Sequence, residues 1–352
     1  MNYIGADVHT ATLDFAVVDE RGRIRMEKTV ATGERNLIEV IRSVPKPRTL
    51  YIEEGSLAAW IVEIGKKHRE SVVVTDPKKN RWIASSEYKG DKLDARKLGQ
   101  LARGGYVKEI HHPTGNRRRF RELVDSYHST VESQTRLKNK IKSKFRQNGI
   151  PCTGETVYLE KHREKWRSKL KEEKVSLQIV EELWKQLETT AFSVKDFLAM
   201  IRKESKHYWE VKAFQKLPGI GLISAATVSA ILETPHRFAS NKKVWTYGGY
   251  GIAKRESGGK VYSNKLNRNY NRRLKYTIKQ SVESAIQSKK NPFRGRYLEL
   301  TLMKGVLPHR GKLTVGRMML STMYGMWKNR SEYDSEKVGG KVKETQTDNS
   351  KY

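Results

Sequence analysis

Short apolar runs separated by turn residues predict that the amino-terminal part of the chain is a sheet covered by helices. Three apolar runs come first, and two more then alternate with stretches of helical spacing. Three hairpin strands followed by strand–helix–strand units are the order of the ribonuclease-H-like (RuvC-like) fold, so we predict such an α/β domain over residues 1–110. The predicted strands are residues 3–9, 13–19, 24–30, 49–52 and 71–75, and the predicted helices are residues 34–44, 57–67 and 89–103.

The middle of the chain has long amphipathic stretches. Residues 116–148 and 160–206 carry apolar side chains at helical spacing and are joined by the turn Asn148-Gly149-Ile150-Pro151. This pattern predicts an antiparallel helical arm over residues 111–215, either a coiled-coil dimerisation element or an ordinary bundle linker.

The last third of the chain is predicted to be a basic, mostly helical domain over residues 216–328. It opens with Leu217-Pro218-Gly219-Ile220-Gly221, which is similar to a helix-hairpin-helix turn whose amides approach a phosphate. Tight helix packing explains the same glycines equally well. Residues 329–352 are polar and poor in apolar residues, which predicts a disordered tail.

The distribution of charge along the chain agrees with this division into domains. The formal net charge is +31, which favours a polyanionic partner, and nucleic acid is the first choice. Residues 1–110 hold 20 basic and 16 acidic residues, whereas residues 216–352 hold 27 basic and 9 acidic ones. The amino-terminal part therefore suits a site made of acids, and the carboxy-terminal part suits binding of a polyanion.

The cysteine content and the apolar runs of the chain indicate the cellular compartment that we expect for the protein. The single cysteine, Cys152, excludes an internal disulfide and a cysteine-based zinc site, and it suits a reducing cytoplasm. We expect no signal peptide, because the chain starts directly with a strand. No apolar run approaches the roughly 18 residues that span a bilayer.

Four acids are candidates for one metal site. Asp7 lies on the first predicted strand, Glu53 directly follows the fourth, and Asp91 and Asp94 share one face of a helix's first turn. Clustered carboxylates repel one another unless a divalent cation neutralises them, and hard oxygen ligands point to Mg²⁺ or Mn²⁺. Scattered surface acids and helix caps explain the same residues equally well. Glu54 is an alternative to Glu53, which we prefer because it directly follows the apolar strand.

These residues resemble the DEDD motif of the one-ten family of bacterial insertion-sequence transposases, also called bridge-RNA-guided recombinases. The resemblance rests on Gly-Ala-Asp7-Val-His, Ile-Glu53-Glu-Gly and Gly-Asp91-Lys-Leu-Asp94-Ala. It continues through the Pro218-Gly-Ile-Gly turn, Tyr247-Gly-Gly-Tyr-Gly-Ile and Glu256-Ser257-Gly258-Gly259, and it covers residues 1–325. The chain departs from the family where Glu54 replaces an alanine and where Tyr270 replaces the glycine of a Gly-Asn step.

The resemblance implies that Ser257 is a nucleophile that attacks a DNA phosphodiester and forms a phosphoserine link. Lys254, Arg255 and Lys260 could stabilise the developing charge. From the residues alone, a turn serine in a polar loop is the simpler interpretation. The resemblance also implies a structured guide RNA, donor and target double-stranded DNA, a dimer or tetramer, and a bacterial or archaeal cytoplasm at the nucleoid.

Clustered arginines predict the nucleic-acid contacts. From residue 240 to residue 330 there are only three acids, and basic residues there are interleaved with aromatic ones. A solvated basic face is the alternative interpretation. The predicted contacts are Arg268, Arg272 and Arg273, together with Arg117, Arg118 and Arg119 at the start of the arm. The lone histidines, including His9, lack metal spacing and are interpreted as structural or surface residues.

The sequence therefore predicts a DNA transposase or recombinase that uses Mg²⁺ at the four acids and a serine-linked intermediate. The main alternative is a metal-dependent nuclease of the Holliday-junction type, in which Ser257 is idle. A non-catalytic RNA- or DNA-binding scaffold is a third possibility. An NTPase is disfavoured, because the chain has no Gly-x-x-x-x-Gly-Lys-Ser/Thr run.

Overall fold

The structure, a computed structural model, describes residues 1–77, 90–257 and 260–338, with the backbone alone for residues 254–257 and 260–264. The chain divides into two compact units, Met1–Arg119 and Phe120–Tyr352. The division falls inside one long helix, Gly115–Gln147.

The first unit contains a five-stranded sheet in the order β3-β2-β1-β4-β5. β1 is antiparallel to β2 and parallel to β4, β2 is antiparallel to β3, and β4 is parallel to β5. The predicted strands are thus confirmed with ends shifted by a residue or two. The strands are β1 (Asn2–Val8), β2 (Thr12–Val18), β3 (Ile24–Ala31), β4 (Arg48–Glu53) and β5 (Val72–Thr75).

The main core of this unit lies on one face of the sheet. Ile4 and Ala6 of β1 and Leu50 and Ile52 of β4 are buried there. Helices α1 (Glu34–Ser43) and α2 (Ala58–His68) pack their apolar sides on this face. Full burial of a leucine or isoleucine side chain stabilises the fold by about 1.5–3 kcal/mol.

The opposite face is covered by helix α3 (Asp91–Arg103). A Cβ atom added at Gly5 would lie 2.1 Å from the Ala95 carbonyl oxygen, so β1 and α3 touch backbone to backbone. Arg96 forms an ion pair with Glu27, and Gln100 donates to the Gly22 carbonyl at 2.7 Å. These contacts fix the first turn of α3 relative to the end of β1.

The second unit is largely helical. Its long helices are α4 (Gly115–Gln147), which begins in the first unit, and α6 (Lys174–Glu204), which is preceded by the short α5 (Arg163–Ser168). Further along the chain lie α7 (Trp209–Phe214), α8 (Leu222–Leu232), α9 (Asn241–Tyr247), α10 (Arg272–Gln287), α11 (Pro292–Leu298) and α12 (Pro308–Asn329). The hairpin of β6 (Ile252–Ser257) and β7 (Lys260–Leu266) interrupts this series.

The predicted helical stretch over residues 160–206 is interrupted near its start. The chain leaves helical geometry between α5 and α6, and Leu170 in this break is fully buried. Leu170 joins Trp166, Val157, Phe145 and Trp184 in a separate apolar cluster. A continuous helix would take Leu170 out of this cluster, so packing overrides the local helical preference.

The carboxy-terminal end of the described chain is packed. Helix α12 ends at Asn329, and Tyr333 and Val338 contact the main apolar cluster of the second unit. The rest of the predicted tail, residues 339–352, lies outside the described residues. Among the helices that the structure describes, none is long and apolar enough to cross a bilayer.

Candidate metal centre

A row of carboxylates crosses the sheet on the face that α3 covers. Asp7 on β1 lies directly opposite Asp14 on β2. On the other side of β1, Ala6 pairs with Ile52, so the next residues in register are Asp7 and Glu53. Neighbours in register share a face, and Ala6 and Ile52 face the core. Asp14, Asp7 and Glu53 therefore project from the opposite face.

Helix α3 adds a further acid to this row. Ligand atoms of Asp7, His9 and Asp91 all lie within 4.8 Å of one another. Among the described residues, these three side chains form the group that is close enough to share a metal ion. Asp7 and Asp91, which are 84 positions apart in sequence, are thus brought together by the close contact of β1 and α3. Asp94 lies in the same first turn, 3.4 Å from the Lys97 ammonium, and is outside that group.

The structure changes the interpretation of His9. Its Nε2 atom lies 3.1 Å from Asp7 Oδ2 and 3.7 Å from Asp91 Oδ1. The charge of Asp7, its hydrogen bond to the ring and the charge of Asp91 raise the pKa of His9 above its ordinary value. The side chain is exposed, as predicted for a surface residue, but it lies between two candidate metal ligands rather than apart from them. The motif Asp7-Val8-His9 places both side chains on one face, and this period of two was the signal that sequence analysis missed.

The two glutamates at the end of β4 have different surroundings. Glu53 is the last residue of β4, opposite Thr75 on β5, and its side chain is exposed. Glu54 follows the strand, and its carboxylate lies 2.5 Å from His112 Nε2. The register thus puts Glu53, not Glu54, on the face of Asp7. Glu53, like Asp94, is outside the group of side chains within 4.8 Å.

Asp14 is a carboxylate that sequence analysis missed. It is only 5% exposed, and its Oδ1 accepts a hydrogen bond from the Thr29 hydroxyl. Ionised side chains are almost never buried without partners. A lone acid inside the apolar run of β2 was the available signal.

The predicted nucleophile lies in the second unit at the tip of the β6–β7 hairpin. Ser257 is the last residue of β6 and pairs with Lys260, after a register irregularity between Arg255 and Glu256. The glycines of the Ser-Gly-Gly motif, and the side chains of Ser257, Lys254, Arg255 and Lys260, lie outside the described residues.

A basic groove of about 720 Å³ runs between α4 and α10 in the second unit. The guanidinium of Arg273 forms an ion pair with Glu132 at 2.7 Å, and Arg272 and Tyr276 are exposed. Burial, with a smaller contribution from Arg273, lowers the pKa of His128 to about 4. The groove is lined by His128, Val131, Glu132, Thr135, Arg136, Arg272, Arg273 and Tyr276.

The other predicted nucleic-acid contacts have mixed surroundings. Arg118 donates to Glu63 at 3.3 Å, and Arg119 donates to Asn116 at 3.4 Å. Arg117 is half-buried, and Arg268 is exposed beyond β7. Glu63 therefore offsets part of the positive charge of residues 117–119 within the first unit.

Comparison with known proteins gives two family matches. Residues 4–148 match the model for DEDD transposases of the IS110 type, and residues 211–298 match the model described as the transposase IS116/IS110/IS902 family. The first match contains Asp7, Glu53, Asp91 and Asp94, and the second contains Ser257. A search of curated proteins found no match.

Proposed function

The chain belongs to the IS110 family of DEDD transposases, enzymes that cut and rejoin DNA, and from this premise we propose that its acids form a divalent-metal site that works with Ser257. The single observation that carries this proposal is the convergence of Asp7 and Asp91, with His9 between them, at the contact of β1 and α3. The proposed product is recombined DNA, formed through a phosphoserine intermediate.

The order of the sheet supports a ribonuclease-H-like assignment of the first unit. Three antiparallel strands, β3, β2 and β1, continue into the parallel β4 and β5, and a helix crosses the face that carries the acids. In open α/β sheets, sites form at the carboxyl ends of strands. Asp7 and Glu53 lie at or next to the carboxyl ends of β1 and β4.

The donor set fits a hard divalent cation. Asp7, Glu53, Asp91 and Asp94 would supply carboxylate oxygens, the ligands that Mg²⁺ and Mn²⁺ prefer. Such an ion, when bound, polarises a phosphodiester and offsets the charge of the transition state. Without a cation, Asp7 and Asp91 would repel each other and draw a proton onto His9, which agrees with the raised pKa of His9.

The chemistry proposed for Ser257 is a reversible exchange of esters. The hydroxyl oxygen forms a bond to phosphorus while the bond from phosphorus to one deoxyribose oxygen breaks; the serine gives up its proton, and the departing deoxyribose oxygen takes up a proton and leaves as a hydroxyl. A second deoxyribose hydroxyl then displaces the serine and rejoins the DNA. Two features support this: the hairpin places Ser257 next to its tip, and the family match covers this segment.

The proposed partners are donor and target DNA, a structured guide RNA and further copies of the chain, in the cytoplasm at the nucleoid. The groove between α4 and α10 presents Arg136, Arg272 and Arg273 for phosphates and Tyr276 for a base or sugar. On helix α6, the apolar side chains of Val175 and Phe192 are 70% and 67% exposed. Exposed apolar side chains of this size support a dimerisation role for the arm.

The second candidate is a metal-dependent nuclease of the Holliday-junction type. It is favoured by one observation: Asp7, His9 and Asp91, which converge, all belong to the first unit. In that case the acids would direct water rather than a serine hydroxyl.

Trapping of a covalent adduct tests the proposal and separates the two candidates. The full-length protein would be incubated with Mg²⁺, DNA carrying the element's ends and target, and RNA transcribed from the flanking sequence. Denaturing gels would then show protein-linked DNA. We expect the adduct to be lost in Ser257→Ala and kept in Ser284→Ala, an exposed serine on α10 that serves as the matched control.

Substitution of acidic residues is the second part of the same experiment. Asp91→Asn is expected to lose both cutting and adduct, whereas Asp196→Asn on the exposed side of α6 should retain both. Cutting that persists in Ser257→Ala without an adduct would favour the nuclease. Cutting by Asp91→Asn at the rate of the unchanged protein would refute the metal site.

A further inference from the structure

The second unit contains a cavity that the proposed reaction does not use. It has a volume of about 220 Å³ and lies between α10, α12 and the segment that leads into β6. It is lined by Tyr250, Lys275, Lys279, Val282, Glu283, His309, Lys312 and Leu313.

One side of the cavity is apolar and fixed in place. Tyr250 is only 3% exposed, and a Cβ atom at Gly316 would lie 2.3 Å from its ring, so the ring packs directly on the backbone of α12. Arg317 holds the same residue by donating to its carbonyl oxygen at 2.8 Å. Val282 and Leu313 complete this wall. A flat apolar or aromatic group could bind against it without rearrangement of the core.

The other side of the cavity is cationic. Lys275 and Lys279 are one helical turn apart on α10 and therefore lie on the same face. Lys312 contributes less net charge, because it forms an ion pair with Glu283 at 2.8 Å. The border of the cavity thus carries an excess of positive charge next to an apolar wall.

This combination identifies the ligand by its chemistry. An apolar peptide side chain would gain nothing from the lysines, and a metal cation would be repelled by them. A nucleotide has both required parts: a flat base for the apolar wall and a phosphate for the lysines. A base within a duplex is stacked between its neighbours and cannot reach the apolar wall, so the nucleotide must be unpaired.

We propose that this cavity binds one unpaired nucleotide, with its base against Tyr250, Val282 and Leu313 and its phosphate at Lys275 and Lys279. The inference rests on the proposed function, because it requires that the second unit binds nucleic acid. The cavity would hold a nucleotide that leaves the helix when strands are exchanged.

Fluorescence of 2-aminopurine tests the proposal. The full-length protein would be titrated at one fixed salt concentration with single-stranded DNA, the same sequence as RNA, and a fully paired duplex, each with one 2-aminopurine. Binding in an apolar pocket changes the emission of this base. DNA and RNA arms show which strand supplies the nucleotide, and either one supports the cavity.

Two variants probe the two sides of the cavity. Leu313→Trp fills it without a change of charge, and Lys279→Ala removes one phosphate partner. Lys328→Ala, an exposed lysine on α12, is the control of equal charge. We expect the first two to weaken single-strand binding about tenfold, the order of one stacked base, while duplex binding changes less than twofold. Lys328→Ala should leave both unchanged.

Three results have distinct meanings. Equal loss of duplex and single-strand binding in Lys279→Ala would show a general charge effect and overturn the cavity proposal. Unchanged single-strand binding in both variants, checked by equal melting temperatures, would overturn it as well. If the unchanged protein binds none of the three nucleic acids, then the proposed function itself fails.

Discussion

Substitution of one glycine should distinguish an effect on stability from an effect on the proposed metal site. Gly5 lies on β1 at the contact with α3, and an alanine Cβ there would lie 2.1 Å from the Ala95 carbonyl and 2.6 Å from the Gly99 nitrogen. Both atoms belong to the backbone of α3 and cannot rotate away. Helix α3 must therefore move away from the sheet in Gly5→Ala, and Asp91 moves with it.

The magnitude of this movement follows from the contact distance. Real Cβ atoms essentially never approach a heavy atom more closely than 3.0 Å, so the helix must retreat by at least 0.9 Å. Overpacking of this kind costs about 1–3 kcal/mol of unfolding free energy. A displacement of about 1 Å at a catalytic group reduces activity on the order of 10²-fold. The loss of activity should therefore exceed what the loss of stability explains at 25 °C.

The assay compares Gly5→Ala with Gly33→Ala. Gly33 caps α1 on the other side of the sheet, has no heavy atom within 4 Å of an added Cβ, and has an extended backbone. Denaturant unfolding gives the stability of each variant, and Mg²⁺-dependent DNA cutting gives the activity. Equal stability and equal cutting in the two variants would refute the close contact of β1 and α3 as the device that positions Asp91.

Three further predictions use charge. Burial lowers the pKa of His128 to about 4, below its value of 6.5 in the unfolded chain. Because the unfolded chain binds the proton more tightly, protonation favours unfolding. The free energy of unfolding should therefore fall on the order of 2 kcal/mol between pH 7 and pH 5. His128→Gln keeps a donor for the Thr227 hydroxyl and should remove much of this loss in unfolding experiments across that range. Glu132→Gln removes the ion-pair partner of Arg273 and should therefore tighten DNA binding. The slope of log K against log salt should become steeper by about one counterion. Arg273→Ala should weaken DNA binding and make that slope shallower. Asp7→Asn relieves repulsion in the carboxylate row and should stabilise the metal-free protein by about 0.2–1 kcal/mol. We expect Mg²⁺ to raise the melting temperature of the unchanged protein and to leave that of Asp7→Asn unchanged.

The sheet could be predicted from the sequence because its signals are local. Each strand of the first unit is a short apolar run bounded by turn residues, such as Arg21-Gly22 between β2 and β3. Strand order then follows from connection length, since hairpins give antiparallel neighbours and helical crossovers give parallel ones. The placement of Asp7 and Glu53 on neighbouring strands was accessible for the same reason.

Other features depend on contacts that no local pattern encodes. The hairpin of β6 and β7 was missed because Lys260–Leu266 alternates polar and apolar residues only weakly. The break between α5 and α6 depends on the burial of Leu170 among residues distant in sequence. The short distance between His9 and Asp91 depends on Gly5, whose missing side chain lets α3 approach the sheet.

The carboxylate row is the place where local rules of folding are broken, and this supports its assignment as a functional site. Asp14 is buried in an apolar strand, and Asp7 lies beside it in register. Asp91 is brought toward Asp7 by the close backbone contact of Gly5 with α3. Like charges opposite one another on strands are destabilising, so packing alone would favour neutral residues there. Proteins keep such arrangements where function requires them, and a divalent cation turns this mutual repulsion into shared ligation.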